Sequence, residues 1–418
     1  MFDTQKAEAV LTEIYGKENV IAQQARFAHL HEAFASRFQE APTDYFTAPG
    51  RTEILGNHTD HNHGKVLTGS IAMDTVAAAR ANGTHLVHII SENYNQDLTL
   101  DLEHLDQNCP HSGTYALLVG IFEATAKMGY QVDGFDAYVS TDVIGAAGVS
   151  SSASFEMLIC AMINYFFNNS AMDYVTYAKI GQYAEHNYWD KKSGLLDQMA
   201  CAVGGTVYID FKEEIPYVEK LDFGYSQLGY DLIIVNTGKG HADLSEEYSS
   251  VPKEMKEAAA VFGKEVLAEV SEEEFLSHIT EVREKCGDRS VLRALHFFGE
   301  QQRVDQAVKA IRENDADTFL NCITQSGNSS WKWLQNCYPT GAAKEQPVSV
   351  ALALTEIFIQ KKGQGYCRIH GGGFAGVIAA ILPKELTDEY VSYMTPYMGR
   401  ENIYPMNIRQ TGSVHIDF

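Results

Sequence analysis

The chain has 418 residues, 45% hydrophobic and 21% charged, a globular balance in a length that outgrows one ordinary core and points to two domains. Its 55 acidic against 32 basic residues leave a net charge of −23 with no basic stripe, which argues against a nucleic-acid partner. No apolar run approaches the roughly 18 residues of a membrane span, the N-terminus lacks an export-signal pattern, and the seven dispersed cysteines never form a C-x-x-C, so the expected setting is the cytoplasm, away from membranes.

Residues 3 to 40 carry apolar positions at helical intervals (Ala9, Val10, Ile14, then Phe27, Leu30, Phe34), which predicts two amphipathic helices. From 46 to 82 short apolar runs are broken by Gly, Asn and His, and strand-like alternation returns at HLVHIISE (85–92) and DAYVST (136–141). A helix is predicted from Ala153 to Phe167, with Ser150, Ser151 and Ser152 as N-cap candidates and apolar residues on nearly every side, so it should be buried. GTVYID (205–210) and DLIIVNT (231–237) read as strands and 251–320 as acidic helix. GYCRIHGGGFAGVIAAIL (365–382) reads as strand, glycine turn and helix, and SVHIDF (413–418) as a closing strand. This is a mixed α/β (α+β) pattern without linker or repeat; a boundary near residue 210 divides it into domains 1–210 and 211–418.

Three segments concentrate polar or small residues. The first, APGRTEILGNHTDHNHGKVL (48–67), sets Arg51, Asp60, His58, His61 and His63 in a loop-like stretch; alone, it also fits a hydrophilic connection whose histidines face water, or alternate histidines converging on a transition-metal ion. The second, VIGAAGVSSSASFEM (143–157), puts small residues before the buried helix, where successive amides can point at an anion. No G-K-[ST] follows, so it is not a Walker A loop. In the third, IHGGGFAGVIAAIL (369–382), Gly371, Gly372 and Gly373 allow a ligand or another backbone to come close, or simply make a tight packing turn.

In order and spacing these segments resemble the signatures of the GHMP small-molecule kinases, and the first resembles galactokinases in particular. Pro49, Gly50, Arg51, Gly56, His58, Thr59, Asp60, Asn62 and Gly64 fall in register with P-G-R-x-N-x-x-G-E-H-T-D-Y-N-x-G, and residues 146–154 with G-x-G-L-S-S-S-A-S. AEHNYWDKKSGLLDQMACAVGG (184–205), SEEYSSVPKEM (245–255) and RALHFFGEQQRV (293–304) extend the likeness over most of the chain from Phe46 onward.

The resemblance implies a two-domain fold, an N-terminal ribosomal-protein-S5-like domain and a C-terminal ferredoxin-like α/β domain, with the active site between them. It implies ATP and Mg²⁺ as cofactors, a small sugar as substrate, and a monomer or weak homo-oligomer. Asp197 would take the proton of the sugar's anomeric hydroxyl, with Arg51 beside it stabilising charge. The amides of Ala146, Ala147, Gly148, Val149, Ser150, Ser151 and Ser152 would cradle the phosphates, buttressed by Gly371 to Gly373, and Ser152 and Glu185 would hold the metal. Asn57, His58, Asp60, Gly194 and Tyr248 would line the sugar site.

Asn57 stands where galactokinases have Glu, His61 where they have Tyr, and Ile144 and Ala146 replace a Pro and a Gly of the phosphate loop. Because that Glu helps hold the sugar's 6-hydroxyl in the family, galacturonate and N-acetylgalactosamine enter as rival substrates beside galactose. A non-catalytic sugar and ATP sensor is a third reading, opposed by retention of Asp197 and Arg51.

Overall fold

A computed structural model of the chain describes residues 4–106, 108–145, 148–189, 191, 193–238, 244–374 and 376–418. Ala146 and Ala147 of the predicted phosphate loop lie outside the described residues.

The two predicted N-terminal helices are α1 (Thr4–Tyr15) and α2 (Val20–Phe38). They lead into β1 (Asp44–Leu55), β2 (Lys65–Ala81), β3 (Leu86–Ser91) and β4 (Gln96–Asp101), then α3 (Gly113–Lys127) and β5 (Phe135–Thr141). Next come α4 (Ser151–Phe167), α5 (Tyr174–Tyr188), α6 (Leu196–Val203), β6 (Thr206–Asp210) and β7 (Tyr217–Leu221). These strands form one sheet in the order β12-β1-β2-β5-β3-β4, with β6 beside β2 and β7 beside β6. Its outer strand β12 (Val414–Ile416) is the closing strand predicted for the C-terminus, paired antiparallel to Tyr45–Thr47.

Much of the first sheet is covered on both faces, and its strand residues sort by parity. Phe46, Ala48, Ala77 and Ala79 pack with α3, α4 and α5, while Tyr45, Val76 and Ala78 pack with α1 and α2. Strand runs buried on both sides lose polar alternation, which is why 46–82 reads as broken apolar runs although it holds two long strands. The predicted helix over 153–167 is α4, and Ala153, Met157, Leu158 and Ile159 through Ile163 are buried in it.

The second half runs through β8 (Tyr230–Asn236), α7 (Ser245–Ala260), α8 (Glu272–Ser277), α9 (Ile279–Cys286), α10 (Asp288–Glu313) and α11 (Ala316–Ser329). It ends in α12 (Pro347–Lys362), β9 (Tyr366–His370), β10 (Val377–Pro383), α13 (Thr387–Met398) and β11 (Ile403–Met406). Its antiparallel sheet has the order β11-β8-β10-β9. The helix expected after the triple glycine is therefore a strand. Val377, Ala379 and Ile381 pack toward the first half together with residues of α10 and α11, and Ile378, Ala380 and Leu382 pack toward α12 and α13. A strand apolar on both faces carries no period to tell it from a buried helix. The position proposed as the domain boundary falls between β6 and β7, which pair with each other in the first sheet.

Candidate active site

The two halves enclose a cavity of about 670 Å³, and β1 builds its centre. At Pro49–Arg51 the pairing of β1 with β2 shifts register, and Gly50 lies so close to the phosphate loop that a Cβ there would stand 2.7 Å from the Val149 carbonyl oxygen. A side chain at 50 would push the loop away. The Arg51 N–H donates to that same carbonyl at 3.1 Å. The Arg51 side chain, buried, donates through Nε to Asp197 Oδ1 at 2.7 Å and through Nη1 to the Gly148 carbonyl.

Ser150 occupies the N-cap position of α4 in a left-handed conformation (φ 60°) and makes no side-chain cap to the helix. Its hydroxyl instead donates to Asp197 Oδ2 at 2.6 Å. The predicted cap thus holds the carboxylate, and no serine cap competes with an anion for the first-turn amides of α4. Asp197 itself sits in the first turn of α6, where the helix dipole favours negative charge. Burial works against its ionisation, but the Arg51 and Lys191 charges and the hydrogen bonds from Arg51 and Ser150 prevail and bring its pKa down to about 2.

Behind Ser152 lies Glu185, fully buried on α5. Its Oε1 accepts from Ser152 Oγ at 3.2 Å and from Lys191 Nζ at 2.5 Å. Its Oε2 accepts from Gln198 at 3.1 Å and from the Ser193 hydroxyl. The neighbouring Glu156 is equally buried, and burial together with the Glu185 charge pushes its pKa well up. A hydroxyl and a carboxylate oxygen converging beside a helix N-terminus are hard donors of the kind Mg²⁺ takes, and the donor set fits that ion.

The opposite wall is the β1–β2 connection, pinned to the second half. Its Gly56 N–H donates to Glu300 at 3.0 Å, and the His58 Nε2–H donates to the Gly372 carbonyl at 2.7 Å. Burial, with His61 nearby, lowers the His58 pKa to about 3, so the ring is neutral; it stacks with His61 at 6.1 Å between centroids. Asp60 tucks under Gly194, where a Cβ would fall 1.9 Å from Asp60 Oδ2. Tyr248 rests on Gly372 in the same way and donates to the Gly373 carbonyl at 3.2 Å. The triple glycine thus backs the His58 and Tyr248 side of the cavity, and Gly371 reaches toward the phosphate loop at the Gly148 carbonyl.

Asn57 lines the cavity, yet its amide is fully engaged inside the protein. Its Nδ2 donates to Glu53 (3.0 Å) and to the Gly371 carbonyl (2.7 Å), and its Oδ1 accepts from Asn336 (2.8 Å) and Ser330 (3.3 Å). Glu53 is ion-paired at 2.7 Å with Arg368, and both are buried.

Arg51, Asn57, His58, Asp60, Gly148, Ser150, Ser151, Ser152, Gly194, Asp197 and Tyr248 therefore share one cavity, with Val149 buried beneath it and Glu185 behind it. His63 points away into solvent, and among the described residues the three-ligand cluster of metal-binding type is Asp101, Glu103 and His104, far along the chain from the histidines of the first segment. Sequence reasoning missed Glu53, Trp189, Lys191 and His370 on the cavity wall. Lys191 was visible as a lysine between Glu185 and Asp197 in an acidic chain; the others carry no signal outside the fold.

The family model described as the galactokinase galactose-binding signature matches residues 32–81, and the GHMP kinases N terminal domain matches 116–205. The chain is 28% identical to a galactokinase of Clostridium tetani (86% of this chain, 89% of the relative) and 28% identical to one of Exiguobacterium sibiricum (90% and 94%). Its fold matches that of a Lactococcus lactis galactokinase solved with galactose, at a TM-score of 0.79 and 24% identity, over 93% of this chain and 99% of the other. A mevalonate kinase of Methanococcus jannaschii matches at a TM-score of 0.60 and 15% identity, over 88% and 98%. Fold and matched domains make this a small-molecule kinase. The chain carries the galactokinase galactose-binding signature and the GHMP kinase N-terminal domain, and it is similar to galactokinases over most of its length.

Proposed function

We propose that the chain transfers the γ-phosphoryl group of ATP to the anomeric hydroxyl of α-D-galactose, giving ADP and α-D-galactose 1-phosphate. The observation that carries this reading is the Arg51–Asp197 pair, held at 2.7 Å at the mouth of the α4 N-terminus. A phosphate placed on those amides meets an acceptor alcohol resting on Asp197. Asp197 orients the hydroxyl by accepting its hydrogen bond and takes the proton late, once bonding to phosphorus makes the alcohol acidic, since a carboxylate of pKa about 2 is a weak base. Arg51, fixed by Gly148 and Asp197, places its charge where negative charge gathers during transfer.

His58, Asp60, Gly194 and Tyr248 hold the sugar, and Asn57 shapes its corner from behind. Ser152 and Glu185 would hold Mg²⁺, which would neutralise phosphate charge when bound. The two halves act as two domains with the site between them, and the enzyme works in the cytoplasm.

The test is a panel of galactose, galacturonate, N-acetylgalactosamine, arabinose and glucose with ATP and Mg²⁺, following ADP release. Turnover on galactose, abolished without ATP, is the expected result. Turnover on a uronate or N-acetylated sugar without galactose would move the substrate, and none on any sugar would leave a sensor.

A further inference from the structure

Two strong bases line the cavity among the described residues, Arg51 and Lys191. Arg51 is immobilised between Asp197 and the Gly148 carbonyl. Lys191 differs: its side chain is half-exposed and passes Trp189, its ammonium lying 5.9 Å from that ring, and among the described residues the head makes one ion pair, with Glu185 Oε1 at 2.5 Å. That same oxygen accepts from Ser152 in the first turn of α4. The ammonium therefore stands at the phosphate end of the cavity, on the oxygen best placed to receive a divalent cation.

From this geometry we infer that Lys191 is a phosphate ligand held in reserve: it neutralises Glu185 in the free enzyme and passes to a non-bridging oxygen of the nucleotide's terminal phosphates when ATP binds. The inference rests on the kinase reading above. Two cations on one carboxylate oxygen repel each other, so Lys191 must leave when a divalent ion takes Glu185. Glu185 is prepared for that exchange, because Ser152, Ser193 and Gln198 keep it in place without the lysine. The move costs little in geometry, since lysine carries a compact charge on a flexible stem. It also answers a charge problem. A nucleoside triphosphate entering a chain of net charge −23 meets Arg51 already paired with Asp197, and a second, mobile cation supplies the missing compensation.

Calorimetric titration of wild type, Lys191→Met and Lys191→Arg with a non-hydrolysable ATP analogue and with AMP, each in EDTA and in Mg²⁺, tests this. Methionine keeps the length of the stem and removes the charge. Its affinity for the triphosphate should fall about tenfold or more in Mg²⁺, as for loss of one charge-assisted hydrogen bond, and by less in EDTA, where no divalent ion takes Glu185 from Lys191; AMP affinity stays unchanged and arginine restores most of the loss. Equal triphosphate affinity in wild type and Lys191→Met would overturn the proposal and leave Lys191 a partner of Glu185 alone. An equal loss for AMP would overturn it too, since the defect would then not lie at the terminal phosphates. If wild type itself binds no triphosphate, the kinase reading fails instead.

Discussion

Replacing Asp197 by Asn keeps the shape of the side chain and removes its charge, which separates the proton acceptor from the scaffold around it. The carboxylate receives hydrogen bonds from Arg51 at 2.7 Å and Ser150 at 2.6 Å, and an Asn oxygen can retain one of them. What remains is a buried guanidinium whose counter-charge has gone. For a fully buried pair that costs about 3 to 5 kcal/mol, and since Asp197 keeps about a quarter of its side chain exposed, the stability loss should be nearer 2 to 3 kcal/mol, read as a lower denaturant midpoint. Turnover should fall more steeply, on the order of 10² to 10⁴, or about 3 to 5 kcal/mol of transition-state stabilisation, while calorimetric galactose affinity changes by only a few-fold. The pH profile supplies a second test. The wild-type carboxylate stays ionised far below neutrality, so no acid limb belonging to Asp197 should appear between pH 5 and 9. A variant that turned over within tenfold of wild type, or a wild-type limb near pH 6 that vanished in Asp197→Asn, would refute this account of the site.

Gly194→Ala should raise the sugar KM about tenfold with nucleotide affinity intact, because its methyl group would overlap Asp60 and displace it; calorimetry with each ligand separately reads the split. Arg368→Met should destabilise the chain by about 3 to 5 kcal/mol by leaving Glu53 buried without its cation, and adding Glu53→Gln should recover part of the loss in the same denaturation assay. His58 is neutral in the fold with a pKa of about 3 against 6.5 unfolded, so the unfolded chain binds more protons between those values. Its contribution is complete above about pH 6.5 and drains as pH falls toward 3. Wild-type stability should therefore drop more between pH 6 and 4 than that of His58→Gln, whose amide can still donate to Gly372; parallel pH slopes would contradict the assignment.

The site was more legible in the sequence than the fold that carries it. Motif register brought Arg51, Asp60, Ser150 to Ser152, Gly194, Asp197 and Tyr248 together before any coordinate did, because the close approaches at Gly50 and Gly194 leave glycine at fixed offsets. The strand status of 377–383 was hidden, since both faces of β10 are buried and its composition is that of a core helix. Asn57 shows a different limit. It lines the cavity as its position suggested, but the partners that hold it, Gly371, Ser330 and Asn336, lie some 270 residues or more further along the chain and no local pattern announces them. Lys191 was passed over although it stands between Glu185 and Asp197: of the adjacent Lys191 and Lys192, the sequence does not say which head meets Glu185.

The wall of the cavity formed by residues 56 to 58 takes its shape from Glu300, Asn336, Gly371 and Gly372, all supplied by the later half of the chain. Contacts between groups so distant in sequence are slow to form, so this seam should close late in folding. Catalytic competence should then lag behind helix content during refolding. An enzyme that has regained its ellipticity but not its turnover would be one whose Arg51–Asp197 pair has formed while the sugar still has no pocket.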